Sequence, residues 1–196
     1  MKKILFSLGL SILTVFVFAS NNHIISVNVD SQNSQIKWIG SKISENHEGT
    51  INIQKGSLNI DHGTLVGGQI SIDMNTINTT DMSEKYNQRL NRHLKNEDFF
   101  NVEAHPLSVI TITKAIKGQE NNYHITADLT IKDITHSISF MANVEIKGSN
   151  YSATANIKID RTKWDIIYKS GNFFKDLGDK IILDEIELDV SLLSVE

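Results

Sequence analysis

Along most of the chain, apolar and polar residues alternate one by one. Ile70, Ile72 and Met74 alternate with Gln69, Ser71 and Asp73, and Ile125, Ala127, Leu129 and Ile131 alternate with Thr126, Asp128 and Thr130. The same period of two runs through Ile138, Phe140, Ala142, Val144 and Ile146, through Tyr151, Ala153, Ala155, Ile157 and Ile159, and through Ile186, Leu188, Val190 and Leu192. Successive side chains of a strand point to opposite faces, so each run predicts a strand with one buried face. Weaker runs at residues 25–29, 35–43, 50–54 and 107–113 raise the predicted number to about eight or nine. Asp61-His62-Gly63, Lys117-Gly118, Lys132-Asp133 and Lys147-Gly148-Ser149-Asn150 stand between runs as hairpin turns. Sequential antiparallel strands with one apolar face close on themselves, which removes unpaired edges. The predicted fold is therefore all-β, a single closed antiparallel barrel. At about eight strands the interior is either filled by side chains or holds one elongated small ligand, and the pattern leaves both open.

One segment breaks the rhythm. Asp81-Met82-Ser83-Glu84 has the form of a capping box, and Met82, Tyr86, Leu90 and Leu94 follow at a spacing of four. That predicts a short helix ending near Lys95-Asn96. The chain has three arginines, Arg89 and Arg92 on this helix and Arg161 before a long loop near residues 161–179. Arginine meets phosphate or carboxylate bidentately. The helix pair reads either as a solvated face or as a receiver for an anionic head group at a barrel mouth.

Composition sharpens the class. Ile, Val and Thr number 28, 10 and 13 against seven Ala, and β-branched side chains favour pleated surfaces. With no cysteine among 196 residues, a disulfide scaffold and a zinc–thiolate site are excluded, as is cysteine nucleophilic catalysis. Lys2 and Lys3 followed by an uncharged apolar run over residues 4–18 and Val17-Phe18-Ala19 read as a secretory signal, residues 1–19, cleaved after Ala19. The run is short for a membrane core, which needs roughly 20 residues. The expected mature domain is residues 20–196, exported to the periplasm or secreted, with no transmembrane segment after cleavage. Removing two lysines leaves 17 basic against 23 acidic residues, a net charge of −6, which argues against nucleic acid as a partner.

The interior of such a barrel would be lined by the inward set Ile72, Ile125, Leu129, Phe140, Ala142, Ala155, Ile157, Ile186 and Leu188. Small residues at Ala142, Ala153 and Ala155 would leave room for a hydrocarbon chain, held by burial at about 25 cal/mol per Å². Phe99, Phe100 and Trp164 are the aromatics expected at an opening, while Trp38, at mid-strand, reads as core. His93 and Glu97 stand four apart, but without a second helical histidine they do not form a recognised metal pair. No catalytic residue, metal or cofactor is expected. Asp73, Asp128 and Asp184 read as solvated strand carboxylates.

Taken in order, several segments resemble the YceI-like family. They are His47-Glu48-Gly49, Leu65-Val66-Gly67-Gly68 leading to Ile72-Asp73-Met74, Thr80-Asp81, and His93-Leu94-Lys95-Asn96-Glu97-Asp98-Phe99-Phe100 with His105-Pro106. The likeness continues in Ala127-Asp128-Leu129-Thr130-Ile131-Lys132-Asp133-Ile134-Thr135, in Asp160-Arg161-Thr162-Lys163-Trp164, and in Leu177-Gly178-Asp179 through Asp184-Glu185-Ile186-Glu187-Leu188. Two positions depart from the family pattern: Asp165 where Gly is frequent, and Ser137 where Pro is frequent. The resemblance implies a lipocalin-like barrel, exported to the periplasm, whose elongated interior binds a polyisoprenoid such as an isoprenoid quinone or polyprenyl diphosphate. The site residues expected on this basis are the lining set with Phe99, Phe100 and Trp164, and Arg89, Arg92, His93 and Arg161 toward a head group. The lipid is the expected partner, for transport or storage, and a homodimer is compatible with it. The alternative from another class is an exported stress or interaction protein with a filled barrel, and a third is an enzyme acting on a lipid-like substrate.

Overall fold

A computed structural model describes residues 23–195, and the export signal expected at residues 1–19 lies outside them. Nine strands run β1 (Ile24–Asn28), β2 (Gln35–Lys42), β3 (Asn46–Asp61), β4 (Thr64–Thr79), β5 (Leu107–Lys117), β6 (Asn122–Ile131), β7 (Ile134–Lys147), β8 (Asn150–Asp160) and β9 (Ile182–Leu193), with α1 (Glu84–Lys95) between β4 and β5. From β2 to β9 each strand pairs antiparallel with the next, and β9 returns to β2 with Gln35 opposite Ser191. These eight strands form a closed ring. β1 is the ninth: β3 is long enough to pair with β2 through residues 46–51 and with β1 through residues 57–61 along the same edge.

Turn chemistry explains the meander. His62 and Gly63 sit at φ 47° and 73°, and Lys132 and Asp133 at 50° and 61°. Two left-handed residues match the right-handed twist of the strands they join, so β3–β4 and β6–β7 are two-residue hairpins. Gly49 answers a different need. A Cβ there would lie 2.0 Å from the Asn78 carbonyl oxygen and 2.6 Å from the Trp38 ring, so only glycine lets the indole lie across the neighbouring strand.

α1 follows the expected apolar spacing, but the capping box does not form. The N-cap is Ser83, without a side-chain cap bond, and Asp81 turns instead to His47, whose Nδ1 lies 2.9 Å from Asp81 Oδ2. β3 and β4, at 16 residues each, exceed the short runs expected there. Register shifts at Thr50/Asn52, Ile53/Lys55 and Asn59/Ile60 interrupt the alternation that would have revealed their length.

All connections at one end of the barrel are short turns, together with β1. The other end carries the β2–β3 and β6–β7 hairpins, α1, and residues 161–181. Buried side chains form two clusters. One reaches the first end with Leu58, Ile60, Leu65, Tyr123 and Tyr151, and the other packs Trp164 and Ile166 against Phe99, Leu129 and Ile131 near the second.

Candidate functional site

The interior is hollow. A cavity of about 230 Å³ runs along it, where a single water needs roughly 10–15 Å³ measured the same way. Ile72 of β4, Ile125 and Leu129 of β6, Phe140 and Ala142 of β7, Ala155 and Ile157 of β8, and Ile186 and Leu188 of β9 all line it, as do Phe99 and Phe100 beyond α1. The room lies beside small residues: Ala142 stands opposite Ala155, and Val144 opposite Ala153. A Leu or Phe pair at the first position would fill the same space.

Tyr123 and Tyr151 help close the blind end. Both are buried, and the Tyr123 hydroxyl accepts a 3.4 Å hydrogen bond from the Leu65 amide. The Tyr151 hydroxyl has no hydrogen-bond partner among the described residues, and desolvation pushes its titration well above the ordinary phenol value.

The mouth lies at the helix end. Leu90 and Leu94 of α1 cover part of it from one side, and Gly40, Ser41 and Lys42 of β2, His47 of β3, and Ile182 and Leu183 of β9 border it from the other. Lys42 Nζ donates to Glu45 Oε1 at 2.6 Å. That bond, the Lys42 charge and then His47 hold the Glu45 carboxyl below its ordinary value. The structure thus brings a lysine and a histidine to the mouth that sequence reasoning missed. The signal was available in parity, because Lys42 shares the inward face of Ile36 and Trp38, and His47 that of Ile51 and Ile53.

α1 has no fully buried residue and is pinned by polar bonds. The amide and hydroxyl of Thr79 both donate to Asn91 Oδ1 at 2.7 Å, and Asn91 Nδ2 donates to Asn78 Oδ1 at 3.0 Å.

Other expected site residues take different places. Arg89 and Arg92 are exposed on the outer face of α1, off the cavity wall. The inner face of the helix is taken by Leu90, Asn91 and Leu94, which leaves the arginines outside. His93 packs edge-on against Phe99 and Tyr168 at 5.0 and 4.8 Å, and its Nε2 lies 3.2 Å from Asp98, not Glu97. The helix ends at Lys95, so the helical spacing between His93 and Glu97 is not maintained.

Arg161 does border the cavity, but its guanidinium is used internally. It is 1% exposed and donates to the carbonyls of Leu183, Ile166 and Ile182. Asp184 Oδ1 stands 3.2 Å away, while Asp184 Oδ2 accepts from Ser170 Oγ and Asn172 Nδ2. Burial lowers the Arg161 titration, and Asp184 and then Asp160 oppose that shift. Arg161 is therefore a clamp that ties the long loop to β9, with each of its three guanidinium nitrogens turned to an internal partner.

Trp164 also lies elsewhere than at an opening. It is 1% exposed, its indole N–H donates to the Leu129 carbonyl at 3.2 Å, and it is off the cavity wall. It belongs to the packing beneath the loop, because a 3-10 turn over Arg161–Trp164 aims it inward. That turn ends at Asp165 with φ 56°, a left-handed position that glycine adopts most readily. Trp38 moves the opposite way: half-buried, it forms part of the cavity wall, and its indole N–H donates to the Thr50 carbonyl at 3.3 Å.

Comparison with known proteins agrees with this architecture. A UPF0312 protein of Pectobacterium carotovorum is 27% identical over 155 residues, 75% of this chain and 72% of that protein. One from Photorhabdus laumondii is 26% identical over 142 residues, 67% of this chain and 66% of that protein. Among solved structures, Burkholderia cenocepacia BcnA superposes with a TM-score of 0.69 at 19% identity, covering 85% of this chain and 99% of that one. A polyisoprenoid binding domain from Saccharophagus degradans gives 0.62 at 14% identity, covering 88% of this chain and 97% of that one. At such identities the superpositions speak for the fold, a lipocalin-like closed barrel. The YceI-like domain profile matches residues 28–193, from the last residue of β1 to the last of β9, and with the whole ring inside that match the chain belongs to the YceI-like family.

Proposed function

We propose that the protein binds a long-chain isoprenoid lipid, a quinone or polyprenyl diphosphate, in its barrel and carries or stores it outside the cytoplasm. The observation that carries this reading is the apolar cavity, open at one end and bordered there by Lys42 and His47. A solved structure of the same fold is described as a polyisoprenoid binding domain, which agrees with it. Burial of each CH₂ stabilises by about 0.8 kcal/mol, so a prenyl tail is held by length and shape and needs few polar contacts. The ligand enters tail first, with its polar end left beside the β2–β3 hairpin.

The engagement of the charged groups at the wall supports binding as the role of the cavity. The charged groups at the wall are already engaged, Lys42 by Glu45, His47 by Asp81 and Arg161 by carbonyls and Asp184. Trp38 supplies the test, since a quinone in the cavity lies against its ring and quenches its fluorescence. Titration with prenyl quinones of increasing tail length should give saturable quenching and an affinity that rises with length until the cavity is full. Quenching that is linear in quinone and independent of tail length would refute the reading.

A further inference from the structure

We propose that the mouth end of the barrel is a docking surface for an anionic lipid bilayer. The elements around the mouth are tied into one rim. Asp81 at the start of α1 meets His47, Lys42 lies opposite Ile182 in the β2–β9 ladder, the Ile182 amide donates to Lys169 in the long loop, and Tyr168 of that loop packs on His93 of α1. This rim carries Phe173, Phe174, Ile43, Leu183 and Tyr86, all exposed, with Phe173 at 55% and Tyr86 at 56%. The three aromatic members are the only exposed large aromatic residues among those described. Phe173 and Phe174 follow Ser170, which is fixed to Asp184, so a rigid anchor holds their loop against the start of β9. An exposed apolar rim continuous with an apolar cavity marks an interaction surface, and aromatics favour the membrane–water interface.

Charge selects the partner. Lys85, Arg89 and Arg92 fall at i, i+4 and i+7 and form one exposed stripe on α1, and Lys175 and Lys180 follow the two aromatics in the loop. None of these five cations forms an ion pair among the described residues. Glu84 is the one acid on α1, Asp176 and Asp179 lie within the loop, and Glu97, Asp98 and Glu103 follow on the segment leading to β5. A basic stripe on a chain that is acidic overall fits an anionic surface, and two anchors, apolar and electrostatic, suit reversible binding at an interface. A lipid then passes between bilayer and cavity without crossing water.

Flotation of the purified protein with phosphatidylcholine vesicles, with and without phosphatidylglycerol, tests the proposal. The protein should float with the anionic vesicles and lose most of that binding at high salt. The F173S/F174S variant and the K85E/R89E/R92E variant should each bind anionic vesicles at least tenfold more weakly. The N-terminal apolar run is common to all three proteins, so the differences report on the rim alone. F173S/F174S should still quench with prenyl quinone supplied in detergent, because neither residue lines the cavity; this keeps loss of docking distinct from loss of the lipid site. Wild-type levels of flotation for both variants, equal binding to neutral and anionic vesicles, or a mouth-to-mouth dimer in place of flotation would overturn the proposal.

Discussion

At the blind end of the barrel, β3 turns into β4 through two residues and the space beneath is filled by Leu58, Ile60, Leu65 and Tyr123, each nearly inaccessible. At the mouth, a helix with no fully buried residue is fastened by Asn91 and by His47 with Asp81, and a loop that buries Trp164 and Ile166 on one side is clamped by Arg161. Burial is non-directional and tolerates no gap, whereas polar pins hold an element in place while leaving open space beneath it. A barrel closed the same way at both ends would have no entrance. The contrast between the ends is thus what makes the interior usable.

The sharpest way to break this contrast is to remove the largest polar pin. Arg161→Ala leaves three carbonyls and Asp184 without their guanidinium, and such a loss costs about 3–5 kcal/mol. Urea unfolding should show it; a loss below about 1 kcal/mol would mean that the loop is held by packing alone. Asn91→Ala is next, expected to cost about 1–3 kcal/mol because the Thr79 amide is left buried without a partner. Hydrogen exchange should show that loss confined to α1 and its neighbours, with β6 to β8 unchanged; uniform loss through the barrel would erase the distinction between the ends.

Ala155→Trp probes the space between the ends. In a hollow barrel the indole occupies the cavity, so quinone quenching disappears while stability changes by less than about 1 kcal/mol, where overpacking a filled core would cost about 1–3. The smallest effect concerns Glu45. Its carboxyl titrates lower in the folded protein than in the unfolded chain, so it contributes stability above about pH 4.3 that is lost as pH falls through the lower folded value. Melting curves between pH 6 and pH 3 should therefore fall slightly more steeply for the native chain than for Glu45→Gln, and parallel curves would remove Lys42 and His47 as its partners.

The ring of strands was legible because alternation reports directly which face is buried. It failed where β3 and β4 bulge, since each inserted residue flips the parity that carries the signal. The cavity wall was legible for the same reason as the strands, and Trp164 was misplaced because nothing in its local pattern shows that a 3-10 turn aims it into the core. The arginines teach most. Arg89, Arg92 and Arg161 share one chemistry, yet two face solvent and one is locked among carbonyls, and only the fold distinguishes them. Lys42 and His47 went unnoticed because each stands at the end of a strand, where a polar residue on the inner face looks like the strand's edge.

The central claim is that the hollow interior holds an isoprenoid chain, and native mass spectrometry of the protein purified from its own cells, with the released ligand identified by fragmentation, tests it most directly. A reproducible one-to-one isoprenoid adduct, absent from Ala155→Trp, is the expected result. A protein that is empty, and that remains empty after incubation with prenyl quinone, would contradict it.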